Sequence, residues 1–166
     1  MNLRITTPDG NELKGTAHRI VKDAVERDGK IYFRMITTLR PDGMPSQSQE
    51  KLVRRDTKGF HSFNIGVPGA KEEVEVPLPL KVGMTWETQF PVLAKHTVLA
   101  KETVTVGGKE YADCFKVQTQ SKDGQFSEVF WEAPNVGSIK SEFSQGPLKF
   151  KLTLRDWKHG KATEKK

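Results

Sequence analysis

Apolar and polar residues alternate along much of this chain. From Leu148 to Arg155 the apolar positions are Leu148, Phe150, Leu152 and Leu154, and the polar ones are Lys149, Lys151, Thr153 and Arg155. A period of two sends successive side chains to opposite faces of a strand, so the stretch predicts a strand with one buried face. Ile31, Phe33, Met35, Thr37 and Leu39 form the more apolar face of a second run. Its expected hairpin partner spans residues 13–27. There Ala17, Val21 and Val25 are spaced by four, which also fits a helix. Asp28-Gly29 leads directly into the next strand, which favours strand. Phe126 to Trp131 is apolar on both faces, as in a strand covered on both sides. Met84, Trp86 and Phe90 are expected on one face, and Val98, Ala100, Val104 and Val106 on another, interrupted by Glu102. Tyr111, Phe115 and Val117 follow.

Turn chemistry punctuates these runs. Asp9-Gly10, Asp28-Gly29, Asp42-Gly43, Asp123-Gly124 and Gly107-Gly108 each separate two strand-like segments, the strongest short-range hairpin signal. In Trp131–Phe143, a strand with Phe130 and Trp131 enters a turn on Pro134, Asn135 and Gly137. A second strand leaves it with Ile139, Ser141 and Phe143 on one face. Residues 46–55 are mostly polar and predict a solvent-facing edge strand. Phe60 to Ile65 follows a Lys58-Gly59 turn. Residues 66–80 carry Pro68, Pro77 and Pro79, which exclude a central strand and predict a long connection.

About nine to eleven strands joined by short turns imply an antiparallel meander, and so large a twisted sheet curls into a barrel or folds over as a sandwich. The expected fold class is all-β: a large curled antiparallel meander forming an open or half barrel, with little or no helix. Residues 1–157 are expected to form a single β domain, with a first half at 1–66, the connection at 67–80 and a second half at 81–157. Residues 158–166 read as a basic flexible tail.

Composition narrows the function classes. The chain has 166 residues, enough for one domain with its own core, and 35% hydrophobic against 29% charged residues excludes a disordered composition. No apolar run approaches the ~20 residues of a membrane helix, so no transmembrane segment is expected. The first ten residues lack the apolar stretch of a signal peptide and read as a strand. The net charge is +6. Much of it lies near the C-terminus, in Lys149, Lys151, Arg155, Lys158, Lys161, Lys165 and Lys166. That charge permits contact with nucleic acid or anionic lipid. No motif interleaves aromatic and basic residues, so nucleic acid is not the expected partner.

Candidate chemistry is sparse. His18, His61, His96 and His159 are scattered, so no metal site is expected. The single cysteine, Cys114, sits in a strand pattern with no neighbouring base and reads as a small buried hydrophobe. Gly107-Gly108 lacks the following helix of a phosphate cradle. The acidic run at residues 72–75 lacks the spacing of a calcium loop. What remains is a set of aromatics, Trp86, Phe90, Phe115, Phe130, Trp131, Phe143 and Phe150. In a curled sheet these either fill the core or line a cavity for an apolar ligand. Trp86, Phe90, Phe115 and Trp131 are the candidate ligand-binding residues.

Three stretches in order carry a resemblance: P-L-P-L-K-V-G-M-T-W at 77–86, V-T-V-G-G-K-E-Y-A-D-C-F-K-V at 104–117 and W-E-A-P-N-V-G-S-I-K-S-E at 131–142. They resemble a group of bacterial exported proteins that includes TapB-like domains, whose fold is similar to the LolA/LolB-like lipoprotein-carrier half barrels of the periplasm. The likeness spans residues 77–157. Glu132 stands where an aromatic is common and Asn135 where Gly is common. The resemblance implies a curved antiparallel sheet, no catalytic residues, no cofactor, and a periplasmic or envelope location with the leader absent from the chain shown. A cytoplasmic location stays open. It carries over no ligand residues.

Two readings follow. The first is a non-enzymatic envelope protein that binds a lipid or hydrophobic small molecule in a curved β-sheet groove. The second is a structural or interaction module with a filled barrel that contacts an envelope protein or surface.

Overall fold

The computed structural model describes residues 1–89 and 93–158. Twelve strands make up one antiparallel sheet: β1 (Asn2–Thr6), β2 (Glu12–Arg27), β3 (Lys30–Pro41), β4 (Gln47–Arg55), β5 (Gly59–Asn64), β6 (Glu73–Pro77), β7 (Thr85–Thr88), β8 (Ala94–Val106), β9 (Lys109–Ser121), β10 (Phe126–Ala133), β11 (Gly137–Gln145) and β12 (Leu148–Thr153). No helix occurs among the described residues. The spatial order is β6-β5-β4-β3-β2-β1-β12-β11-β10-β9-β8-β7. Two meanders, β1–β6 and β7–β12, join along β1 and β12. The sheet curls into a nearly closed barrel with one unsealed seam. That seam falls between β6 and β7, two strands adjacent in sequence.

The predicted turns sit where the Asp-Gly and Gly-Gly pairs stand. Asp28 and Gly29 take φ of 51° and 70°, and Gly107 and Gly108 take 60° and 78°. These are the left-handed pairs that match the twist of a two-residue hairpin. Asn135 takes φ 61°, a left-handed conformation that Asn tolerates better than most residues with a side chain.

Pairing fixes the faces. Val98, Val117, Phe130, Ser141, Leu152, Leu3, Gly15 and Pro41 form one continuous row of cross-strand partners from β8 to β3. His96, Thr119, Glu128, Phe143, Phe150, Ile5 and Leu13 form the next row on the same face. This face is the inside: Glu132 of β10 responds to the charges of Arg19 on β2 and Glu75 on β6, strands across the barrel.

Several expectations are corrected. The segment 47–55 is not an edge: β4 pairs with both β3 and β5, and Leu52 and Val53 are buried. Polar composition misled because the inner face, too, carries polar residues here. The stretch 66–80 contains β6, which lies on the seam, the edge position that its Pro77 permits. Val98 does not share a face with Ala100, because the β8–β9 register shifts between them. Val98 faces inward, while Ala100 and Glu102 pair with outward residues. A one-residue bulge reverses the facing of everything after it. Ile139 likewise leaves the face of Ser141 and Phe143: the register shifts beside it, and it packs with Trp131, Cys114, Val106 and Ala133. Leu154 packs against that outer cluster rather than continuing the inner row of β12. Residues 13–27 form the expected strand, but the register shift between Val21 and Ala24 separates the three spaced residues: Ala17 and Val21 face inward, and Val25 packs on the outer face with Tyr32, Leu52 and Phe63.

Candidate functional site

The inner wall of β10, β11, β12 and β1 carries an apolar stripe. Phe143 and Phe150 are direct cross-strand partners, and their rings stack at 4.5 Å and 5°. Phe126 adds a tilted ring 6.2 Å from Phe143. Aromatic pairs in this geometry contribute beyond the area they bury. Leu3 and Ile5 are buried on the neighbouring strand.

The same interior also holds charge. Glu128 accepts a hydrogen bond from the Ser141 hydroxyl at 2.5 Å, and burial holds its carboxyl above the usual range. Burial pushes the Glu132 carboxyl up to about 7; Arg19 opposes this, and Glu75 and Glu128 add to it. On the far wall Lys51 donates to both Glu75 carboxylate oxygens, at 2.6 and 2.7 Å. His96 is held between two hydroxyls, with Nε2 2.9 Å from Thr88 Oγ1 and Nδ1 2.8 Å from Thr119 Oγ1. Burial lowers its pKa to about 4, so the ring is neutral at pH 7.

Toward β2–β5 the inner face opens to solvent. Val21, Ile31, Phe33 and Phe60 occupy inward positions there, yet they remain 58%, 54%, 45% and 41% exposed. Large apolar side chains gathered on a concave, wet surface mark a binding surface more often than a defect of packing.

The four aromatics predicted from the sequence do not form one wall. Trp86 faces inward at the seam. It stacks on His96 at 4.8 Å, and its indole N–H donates to the Glu75 carbonyl at 3.0 Å. This bond and the Gln89 N–H to the Glu73 carboxylate bridge β6 and β7, which share no ladder. Phe115 faces inward, half-buried, with Lys101 Nζ 5.8 Å from its ring centre. Trp131 points the other way. It is buried in the outer cluster, with Lys140 Nζ 4.1 Å above its ring and its indole N–H donating to Glu102 at 2.6 Å. Phe90 lies outside the described residues, as does the basic tail beyond Lys158.

Sequence reasoning missed Glu128, Glu132, Arg19 and Lys51 as interior groups. The available signal was two glutamates on the Phe126–Phe130 face of an otherwise apolar strand. It also missed an outer network. Glu72 accepts from Arg54, from Lys30 Nζ at 2.8 Å and from the Tyr32 hydroxyl at 2.5 Å. Asp56 joins Arg54 to His61. These contacts hold the Glu72 and Asp56 carboxyls well below the usual range, chiefly through Arg54. Cys114 is fully buried; burial pushes its thiol up, and Sγ donates to the Tyr111 carbonyl at 3.2 Å.

A twelve-stranded antiparallel near-barrel with one unsealed seam defines the structural class. No family model matches the chain, and no curated protein does. Among solved structures it is similar to a candidate exported protein with a YmcC-like fold from Bacteroides fragilis. The TM-score is 0.51 at 16% identity, over 92% of each chain. At that identity the likeness concerns the fold.

Proposed function

We propose that this protein is a non-enzymatic binding module whose barrel interior holds an apolar or lipid-like ligand. The supporting observation is the exposure of Val21, Ile31, Phe33 and Phe60 on the concave face of β2–β5. Burying an apolar chain against them would remove that surface from water at roughly 25 cal/mol per Å². The phenyl ladder of Phe126, Phe143 and Phe150 extends the apolar wall along β10–β12. Glu128, Glu132 and Arg19 place polar groups in the same interior, which suits a ligand with a polar end. The residues that bear on the ligand are then Trp86 and Phe115 at the inner wall, together with Phe33, Phe60 and Phe143. Trp131 serves packing of the outer cluster instead.

The fold likeness to a candidate exported protein supports an envelope or periplasmic location in this reading. It is also in keeping with the resemblance to TapB-like and LolA-like proteins. The test is native mass spectrometry of the chain purified from a bacterial host, followed by lipid extraction. The expected result is a near-stoichiometric lipid or fatty acid that Phe33→Glu removes. Absence of any co-purifying ligand, together with failure of added fatty acid or phospholipid to bind, would overturn it.

A further inference from the structure

A cleft lies on the outer side of the sheet, where residues 65–70 fold over β2–β5. Its volume is about 480 Å³, within the range of small-molecule sites. Val25, Leu52, Phe63, Ile65, Val67 and Ala70 give it apolar walls. Two cations border those walls. The Arg27 guanidinium lies 3.8 Å from the Phe63 ring centre, and its nearest carboxylate, Asp28, is exposed at 3.5 Å. Arg34 approaches Asp23 and Glu50 only at 3.4 Å. The buried Nε is the atom that approaches Asp23, and at that distance it makes no hydrogen bond. Each guanidinium offers five N–H donors in a planar fork that matches a carboxylate, and long, exposed ion pairs leave most of these donors unused. The roof is fixed at its far end by Glu72, which Arg54, Lys30 and Tyr32 hold together.

We infer that this outer cleft binds a compact amphipathic anion, a carboxylate on a short apolar body. The apolar part lies against Phe63, Leu52 and Val67, and the carboxylate meets Arg27 and Arg34. The site is on the opposite face from the barrel interior and stands independently of the interior ligand.

The test is a ¹H–¹⁵N correlation titration of the full chain with sodium octanoate and, separately, with octan-1-ol. Octanoate is expected to shift the amides of residues 65–70, Val25 and Phe63 saturably, with octanol binding about tenfold weaker. Arg34→Gln should weaken octanoate by about tenfold and leave octanol unchanged. Arg27→Lys provides the same comparison should Arg34→Gln fail to fold. Equal affinity for octanoate and octanol would overturn the role of the arginines. Shifts confined to inner-face residues such as Phe33 and Phe143 would overturn the cleft and favour the interior site alone. No shift at residues 65–70 at saturating octanoate would also overturn it.

Discussion

Two inner side chains make opposite demands on pH. Folding raises the Glu132 carboxyl to about 7, so this group lowers stability as pH rises from the unfolded value near 4.5 to 7. Glu128 acts in the same direction. Folding depresses His96 to about 4, so its contribution is full above the unfolded value of 6.5 and is lost as pH falls toward 4. Between pH 4.5 and 6.5 the two slopes oppose each other, and the wild-type chain should show little change from them. Glu132→Gln should expose the histidine slope, with stability rising as pH rises. At pH 8 it should exceed wild type by on the order of 2 kcal/mol, with the two converging near pH 4. His96→Gln should expose the opposite slope. Urea unfolding at several pH values measures both, and a Glu132→Gln profile parallel to wild type would mean that water already solvates the carboxylate. None of this was legible beforehand. A glutamate at an even position of β10 reads the same whether it faces solvent or a lumen.

At the scale of elements, the turns were legible because their chemistry is local. Asp28-Gly29 and Gly107-Gly108 need only their own backbone to adopt positive φ. Facing was less legible, because a single bulge reverses it and nothing in the local pattern announces one. The register shifts at Val98/Ala100 in β8 and beside Ile139 in β11 are the examples. Close approach of strands was also hidden. A Cβ on Gly15 would stand 2.3 Å from the Arg40 carbonyl oxygen and 2.8 Å from Pro41 Cα, both backbone atoms that cannot swing away. Gly15→Ala should therefore force β2 from β3 and cost about 2–3 kcal/mol. Gly43→Ala, at φ 74° but with no atom within 4 Å, should cost only the conformational strain of about 1 kcal/mol. Thermal or denaturant unfolding ranks the two. A Gly43→Ala loss as large as that of Gly15→Ala would show that steric approach between β2 and β3 is not the controlling cost.

At the scale of the whole molecule, the seam is the weakest join in the barrel. Every other neighbouring pair shares a ladder, whereas β6 and β7 are bridged by the Trp86 indole and the Gln89 amide. Trp86→Phe keeps a ring that can stack on His96 but removes the donor to Glu75. The loss of one such hydrogen bond, about 1 kcal/mol, should speed amide exchange in β6 and β7 roughly fivefold, with β1 and β12 unaffected. Unchanged exchange in β6 would mean that other contacts hold the seam.

Taken alone, the sequence determined that the chain is all-β, that its strands run antiparallel through tight turns, and that the sheet is large enough to curl. These follow from period-two alternation and from residues that accept positive φ, both local properties. Tertiary structure decided what alternation leaves symmetric: which face became the interior, that Trp86 and Trp131 point to opposite sides, and that the sheet closes along β1 and β12 while remaining unsealed at β6 and β7. It also decided that the lumen carries Glu128, Glu132 and Arg19 beside its phenylalanines. Strand pairing over long separations and curvature across the whole sheet set these outcomes, and no window of neighbouring residues contains either.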